Sequence, residues 1–174
     1  MAEAAGDDSR AAIEPLAERH FQGLRRALDV IAREKQYLSF TQAPAPEPAY
    51  RFYRHIVENQ LCHFVAVAGG TVVGWCDVLP THGETRAHVG TLGIGVVPTA
   101  RGRGIGPRLL RTAIDSAWSR GFTRIELTVR EDNPRARALY ERFGFAQEGL
   151  CRRAFRVDGR YVDSHAMALL RDDS

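Results

Sequence analysis

Val97-Pro98-Thr99-Ala100-Arg101-Gly102-Arg103-Gly104-Ile105-Gly106-Pro107 is the stretch on which the reading of this chain turns. Before it, Ala87 to Val97 reads as a strand that carries Gly90, Gly93 and Gly95 and is ended by Pro98. After it, Leu109, Leu110, Ala113, Ile114, Ala117 and Trp118 recur at helical spacing, with Pro107 at a first helical position and Gly121 as the stop. A strand, a glycine turn and a helix in that order let several N–H groups converge beside a helix N-terminus, where anions bind. Arg101, Arg103, Arg108 and Arg111 add positive charge, so a pyrophosphate suits the turn. A nucleotide P-loop requires Gly-Lys followed by Ser or Thr, and the dinucleotide fingerprint requires its third glycine one residue later than Gly106; neither fits.

Outward from this core, Leu16, His20, Phe21, Leu24, Ala27, Leu28 and Ile31 predict an amphipathic helix after Pro15. The prolines of Ala43-Pro44-Ala45-Pro46-Glu47-Pro48 predict a loop, followed by a short helix with Phe52, Tyr53, Ile56 and Val57 on one side. Phe64 to Ala68 and Thr71 to Val78 predict a hairpin closed by Gly69-Gly70. Thr123 to Arg130 alternates like a strand, and Asn133-Pro134 opens a helix whose inner face is Ala136, Leu139, Tyr140 and Phe143, closed by Gly144. Asp158-Gly159 predicts a last hairpin between Cys151 to Val157 and Arg160 to Leu170. The expected organisation is a tail over residues 1–10 and one domain over 11–172.

Hydrophobic residues make up 44% of the 174 and charged residues 26%, a balance that supports one globular core and excludes a disordered chain. No apolar run approaches the roughly 18 residues of a membrane helix, and Met1-Ala2-Glu3 lacks a signal layout, so the chain is expected in the cytoplasm, away from membranes. Cys62, Cys76 and Cys151 are too widely spaced for a zinc knuckle and are read as buried thiols; no metal is expected. The net charge of +3 is modest, but the arginine cluster keeps an RNA-binding reading in view. Against that reading, the aromatic needed for base stacking is not evident, since Trp118 lies on the apolar face of its helix.

Arg101, Gly104 and Gly106, then Asn133, Leu139-Tyr140 and Gly144-Phe145 together resemble the motifs of the GNAT superfamily of N-acetyltransferases. The resemblance is specific from about Thr91 to Phe145. The stretch from Glu148-Gly149 to Tyr161-Val162-Asp163 is similar to the branch holding bacterial amino-acid and phosphinothricin-type acetyltransferases. What this resemblance implies is an α/β fold, with a mixed, mostly antiparallel sheet flanked by helices on both faces. It implies acetyl-CoA as the donor and an amine, first an amino acid or other small primary amine and second a protein N-terminus, as the acceptor. The backbone at Ile94, Gly95 and Val96 would pair with the pantetheine amides, as an added strand pairs with a sheet edge. Arg101, Gly102, Arg103, Gly104, Ile105 and Gly106 would hold the pyrophosphate, and Asn133 the cofactor arm, although a cap ahead of Pro134 explains Asn133 as well. Homodimers are frequent in the superfamily, so a homodimer is expected.

Acetyl transfer requires a neutral amine, a stabilised oxyanion and a proton for the leaving thiolate. Tyr140 is the candidate for that proton, with core packing as its other reading. Where the superfamily often carries Glu, this chain has Thr91 and Thr128, and a hydroxyl cannot stand in for a carboxylate as base. His88 is the candidate base by its ordinary pKa, with Asp77, Glu126 and Glu131 as further carboxylates or a water chain in their place. A domain that binds the cofactor without turnover is the alternative which the missing carboxylate keeps open.

Overall fold

Seven strands form one open sheet in the order β1-β2-β3-β4-β5-β7-β6 in the computed structural model, which describes residues 11–172. The strands are β1 (Ala12–Pro15), β2 (Cys62–Ala68), β3 (Thr71–Pro80), β4 (Val89–Val96), β5 (Arg124–Arg130), β6 (Ala146–Val157) and β7 (Arg160–Leu170). Only the β4–β5 pair is parallel; every other pair is antiparallel. This is the mixed, mostly antiparallel sheet expected from the sequence. The tail expected over residues 1–10 lies outside the described residues.

Helices cover both faces. On one, α1 (Phe21–Arg33) and α2 (Pro46–Glu58) pack Phe21, Leu24, Ile31, Tyr53 and Ile56 against Val65, Val72 and Trp75. On the other, α3 (Ile105–Ser119) and α4 (Pro134–Arg142) pack Leu109, Leu110, Ala113 and Tyr140 against Cys76, Val78, Ile125 and Leu127. Each fully buried Leu, Ile or Phe contributes roughly 1.5–3 kcal/mol, so these two layers fix the sheet between them.

Several expectations shift by a few residues, for identifiable reasons. Residues before Phe21 do not extend α1: Ala12–Pro15 pairs with β2 as an edge strand, where a proline costs no ladder bond. The prolines near residue 46 start α2 rather than preceding it, because Pro46 stands at the first turn, whose N–H groups need no partner. Phe52, expected on the inner side of that helix, is 49% exposed, and the buried stripe is Ala49, Tyr53 and Ile56. Cys62 and Cys76 are buried as expected, but Cys151 is exposed because it lies on edge strand β6. Both predicted hairpin turns have positive φ at their two central residues, Gly69 and Gly70, then Asp158 and Gly159.

The feature that makes a site is a divergence in the middle of the sheet. β4 and β5 pair only at Val89–Arg124, Gly90–Ile125 and Thr91–Glu126. Beyond Thr91, β4 stays on β3 as far as Val96, while β5 stays on β7 as far as Arg130. The two strands therefore open into a wedge, and the β5-facing backbone edge of β4 from Leu92 onward has no strand beside it. Alternation along β4 places Leu92, Ile94 and Val96 toward the α3/α4 layer and Thr91, Gly93 and Gly95 toward the α1/α2 layer.

Candidate active site

A cleft of about 440 Å³ runs through the wedge from one face of the sheet to the other. Ile94, Gly95 and Val96 form one wall, and Ala136, Leu139 and Tyr140 approach from α4. On the opposite face Ile31, Tyr37, Thr128 and Arg130 line it, and the turn Arg101-Gly102 with Gly104-Ile105-Gly106 closes one end.

That turn is shaped for an anion. Gly102 and Gly104 both have φ of +77°, the left-handed region open to glycine at no steric cost. Gly104 is also the N-cap of α3, and it brings no side chain to accept the N–H groups of the first helical turn. Those N–H groups and the helix dipole favour negative charge in front of Gly104. Paired with the open edge of β4, the turn fits a ligand that carries a diphosphate at one end and amides along its length.

Arg101 behaves differently from its neighbours. Its Nε donates to the Val96 carbonyl at 2.9 Å, and its two terminal nitrogens donate to the Glu34 carboxylate at 2.8 and 2.6 Å. The Tyr37 ring lies 4.8 Å from the guanidinium carbon. The side chain thus fastens the turn to the end of β4 and the end of α1 while it lines the cleft. Arg103 is exposed in the same turn and is not part of the cleft wall.

Asn133 lines the cleft and caps α4 at once: its Oδ1 accepts the Ala136 N–H at 3.2 Å, which leaves Nδ2 to donate. Tyr140 is buried, stacked at 5.8 Å against Phe145, and it reaches the cleft wall. Burial holds its phenol well above the ordinary tyrosine range, so it is a protonated hydrogen-bond donor throughout the physiological range.

The structure separates His88 from this assembly. His88 is exposed in the turn before β4, where its carbonyl accepts the Thr123 and Arg124 N–H groups. It precedes Thr91, where the wedge opens, by three residues, about 10 Å of strand, and it lines no part of the cleft. His88 thus stands at the paired end of β4 and β5, away from the opening of the wedge. Glu126 is also spent, since its oxygens accept from Arg86 and Arg124. Thr91 and Thr128 both lie on the α1/α2 face, as the alternation of their strands requires.

Several residues of the cleft were not singled out from the sequence. Arg135, Leu139 and Arg142 share one face of α4 at helical spacing, so a helical wheel would have found both arginines. Arg130 follows Thr128 by two along β5, and strand alternation would have found it. It is only 5% exposed, held by Asp132 at 2.9 and 2.6 Å and donating to the Lys35 carbonyl at 2.9 Å. Ile31 and Tyr37 arrive by long-range packing, for which local sequence holds no signal.

Comparisons with known proteins agree with this geometry. Residues 25–145 match the profile described as the acetyltransferase (GNAT) family. The chain is 38% identical over 122 residues to the N-alpha-acetyltransferase RimI of Mycobacterium tuberculosis, covering 70% of this chain and 74% of that protein. It is 30% identical over 155 residues to the L-amino acid N-acetyltransferase AaaT of Escherichia coli, covering 88% and 93% respectively. Among solved structures, a phosphinothricin acetyltransferase from Sinorhizobium meliloti in complex with acetyl-CoA superposes with a TM-score of 0.81 at 22% identity, over 94% of this chain and 90% of that one.

Proposed function

The chain belongs to the acetyltransferase (GNAT) family and is an acetyl-CoA-dependent N-acetyltransferase, and from that premise we propose that its acceptor is the primary amine of an amino acid or a similarly small molecule. One structural observation carries the choice of a small acceptor. The segment between α1 and α2 and the β6–β7 turn meet over the α1/α2 face, through Lys35 Nζ to Asp158 Oδ1 at 2.9 Å and through Arg130 to the Lys35 carbonyl. In this reading the Lys35–Asp158 contact, made by side chains outside the cleft lining, narrows the approach on the acceptor side in favour of a small molecule over a polypeptide. Likeness to the L-amino acid acetyltransferase over nearly its whole length supports the same reading. The second reading, a protein N-terminus, is favoured by the 38% identity to the N-alpha-acetyltransferase.

In this reading the Gly102–Gly106 turn receives the diphosphate of the donor, and the free edge of β4 at Ile94, Gly95 and Val96 receives its amide arm. Asn133 Nδ2 donates to that arm while Oδ1 keeps its cap. The bound donor supplies an acyl group activated as a thioester. Tyr140, kept protonated by burial, donates to the sulfur as the C–S bond breaks, a contribution of about 10²- to 10⁴-fold for general-acid assistance.

Incubation with acetyl-CoA, the twenty common L-amino acids and an equimolar alanine-initiated peptide, followed by mass spectrometry, tests the acceptor. Acetylated free amino acid is the expected product; acetylation of the peptide alone would overturn the small-acceptor reading. We further propose that the protein works in the cytoplasm; among the described residues no helix is long and apolar enough to cross a membrane. Pairing of two copies along β6 is proposed from its position at the sheet edge, with Leu150 half exposed there. Sedimentation that shows only monomer at micromolar concentration would reject the homodimer.

A further inference from the structure

Transfer to an amine needs a group that accepts the acceptor's proton, and Thr91 and Thr128 bring only hydroxyls to the α1/α2 face of the wedge. Gly93 and Gly95 follow Thr91 on the same face of β4. A Cβ on Gly95 would lie 2.5 Å from the Trp75 ring, and one on Gly93 would lie 3.3 Å from Asp77 Oδ1. Trp75 and Asp77 alternate on the same face of β3, and both lie across β4 where a side chain would otherwise stand. Asp77 therefore stands over Gly93, one residue along β4 from Ile94 of the cleft wall, so that it borders the cleft without being among the residues that line it. Its side chain keeps 15% of its surface exposed.

The geometry points to Asp77 as the general base of the transfer, with His63 on β2 as the residue that positions it. This assignment rests on the acetyl-transfer reading above and places base and acid on opposite faces of the wedge, Asp77 toward α1 and α2 and Tyr140 toward α3 and α4. His63 Nε2 stands 3.5 Å from Asp77 Oδ2, directly across the β2–β3 pair. His63 Nδ1 is buried with no partner among the described residues, so the single proton of the neutral ring belongs on Nε2, facing the carboxylate.

The surroundings set how this group titrates. From β2 comes His63, held neutral by burial, with its pKa pushed down to about 3. From β4 come the Gly93 N–H and Thr91, neither charged. α1 and α2 cover this face of the sheet with apolar side chains and with Tyr53, whose phenol is pushed up to about 12 by burial. Glu126 on β5 is occupied by Arg86 and Arg124, and Cys62 and Cys76 lie on the other face. Burial raises Asp77 to about 7, against the smaller opposing pull of the Gly93 N–H. A carboxylate poised near neutral pH is matched to general-base work.

The protons and bonds balance as follows. The acceptor ammonium gives one proton to the Asp77 carboxylate, and the freed lone pair forms the C–N bond at the thioester carbonyl carbon. The C–S bond breaks, the sulfur takes the Tyr140 proton, and the nitrogen's second proton returns to the phenolate. The amide keeps the third, and Asp77 releases its own to solvent.

Asp77→Asn tests the assignment with two acceptors, the best L-amino acid of the panel and hydroxylamine, which is mostly uncharged at neutral pH. We expect kcat/KM for the amino acid to fall by about 10²- to 10⁴-fold, a much smaller loss with hydroxylamine, and disappearance of the rising limb near pH 7. Asp77→Glu should restore part of the rate, and His63→Gln should move the limb without abolishing turnover. Calorimetric uptake of coenzyme A, unchanged in each variant, shows that the fold and donor site survive. Equal losses with both acceptors, or an unaltered pH profile, would overturn the role of Asp77. A wild-type enzyme that acetylates no amine would reject the transfer reading and this assignment with it.

Discussion

Arg101 grips Glu34 through two charge-assisted hydrogen bonds of 2.8 and 2.6 Å while its third nitrogen holds the Val96 carbonyl. One side chain thereby ties the anion-binding turn to the last residue of β4 and to the residue that ends α1. Preorganising a turn lowers what its ligand must spend on ordering it. Glu34→Gln leaves Arg101 in place but weakens the fork, and bidentate pairs of this kind are worth about 1.5–3 kcal/mol. We expect coenzyme A affinity to drop roughly tenfold with kcat little changed, measured by calorimetry and steady-state kinetics.

Gly104 gives a second test of the turn, at a position where the fold tolerates change. Space is open around a Cβ there, so a side chain at Gly104 costs chiefly the left-handed backbone, about 1–2 kcal/mol, and Gly104→Leu uses that opening. The new side chain would stand in front of the first N–H groups of α3. Thermal unfolding should show a modest loss of stability, and calorimetry should show coenzyme A uptake abolished.

Tyr140 should separate binding from chemistry. Its hydroxyl is the one part that Phe lacks, and its ring packs on Phe145 in either case. Tyr140→Phe is expected to lower kcat by about 10²-fold or more and to leave coenzyme A affinity nearly unchanged. Because burial keeps the phenol protonated, the wild type should show no loss of activity from Tyr140 ionisation below pH 9. Equal kcat in the two proteins would reduce Tyr140 to a packing residue.

What could be read from the chain follows the range of the forces involved. The turn from Arg101 to Gly106, the cap at Asn133 and the alternation of β5 are local, and local spacing announces them. The edge strand Ala12–Pro15 was hidden because four residues carry too short an alternation to stand against the helical pattern that follows. His88 stands out only by the ordinary histidine pKa, which says nothing of position, and position is set by where β4 and β5 part. Asp77 was visible only as one carboxylate among three. Its standing comes from Gly93 on the neighbouring strand, a relation across the β3–β4 register that no linear pattern states. The tie of Arg101 to Glu34 was not legible because the two are 67 residues apart in sequence.

The raised pKa of Asp77 has a consequence for stability that is independent of any assay of turnover. Its carboxyl titrates at about 7 in the folded chain against 3.8 as the ordinary value. Between those values the folded state binds the proton more tightly than the unfolded state, so stability falls as pH rises through this window and stays lowered above it. Keeping Asp77 ionised then costs the fold roughly 4 kcal/mol at most. Asn is nearly the same size and stays neutral, so Asp77→Asn should raise Tm at pH 8. Near pH 4, where the folded carboxyl is protonated, it should change Tm little. A more stable, less active variant is the signature of a charge kept for function at the expense of the fold. Equal or lower Tm for the variant at pH 8 would mean that Asp77 ionises without such a cost.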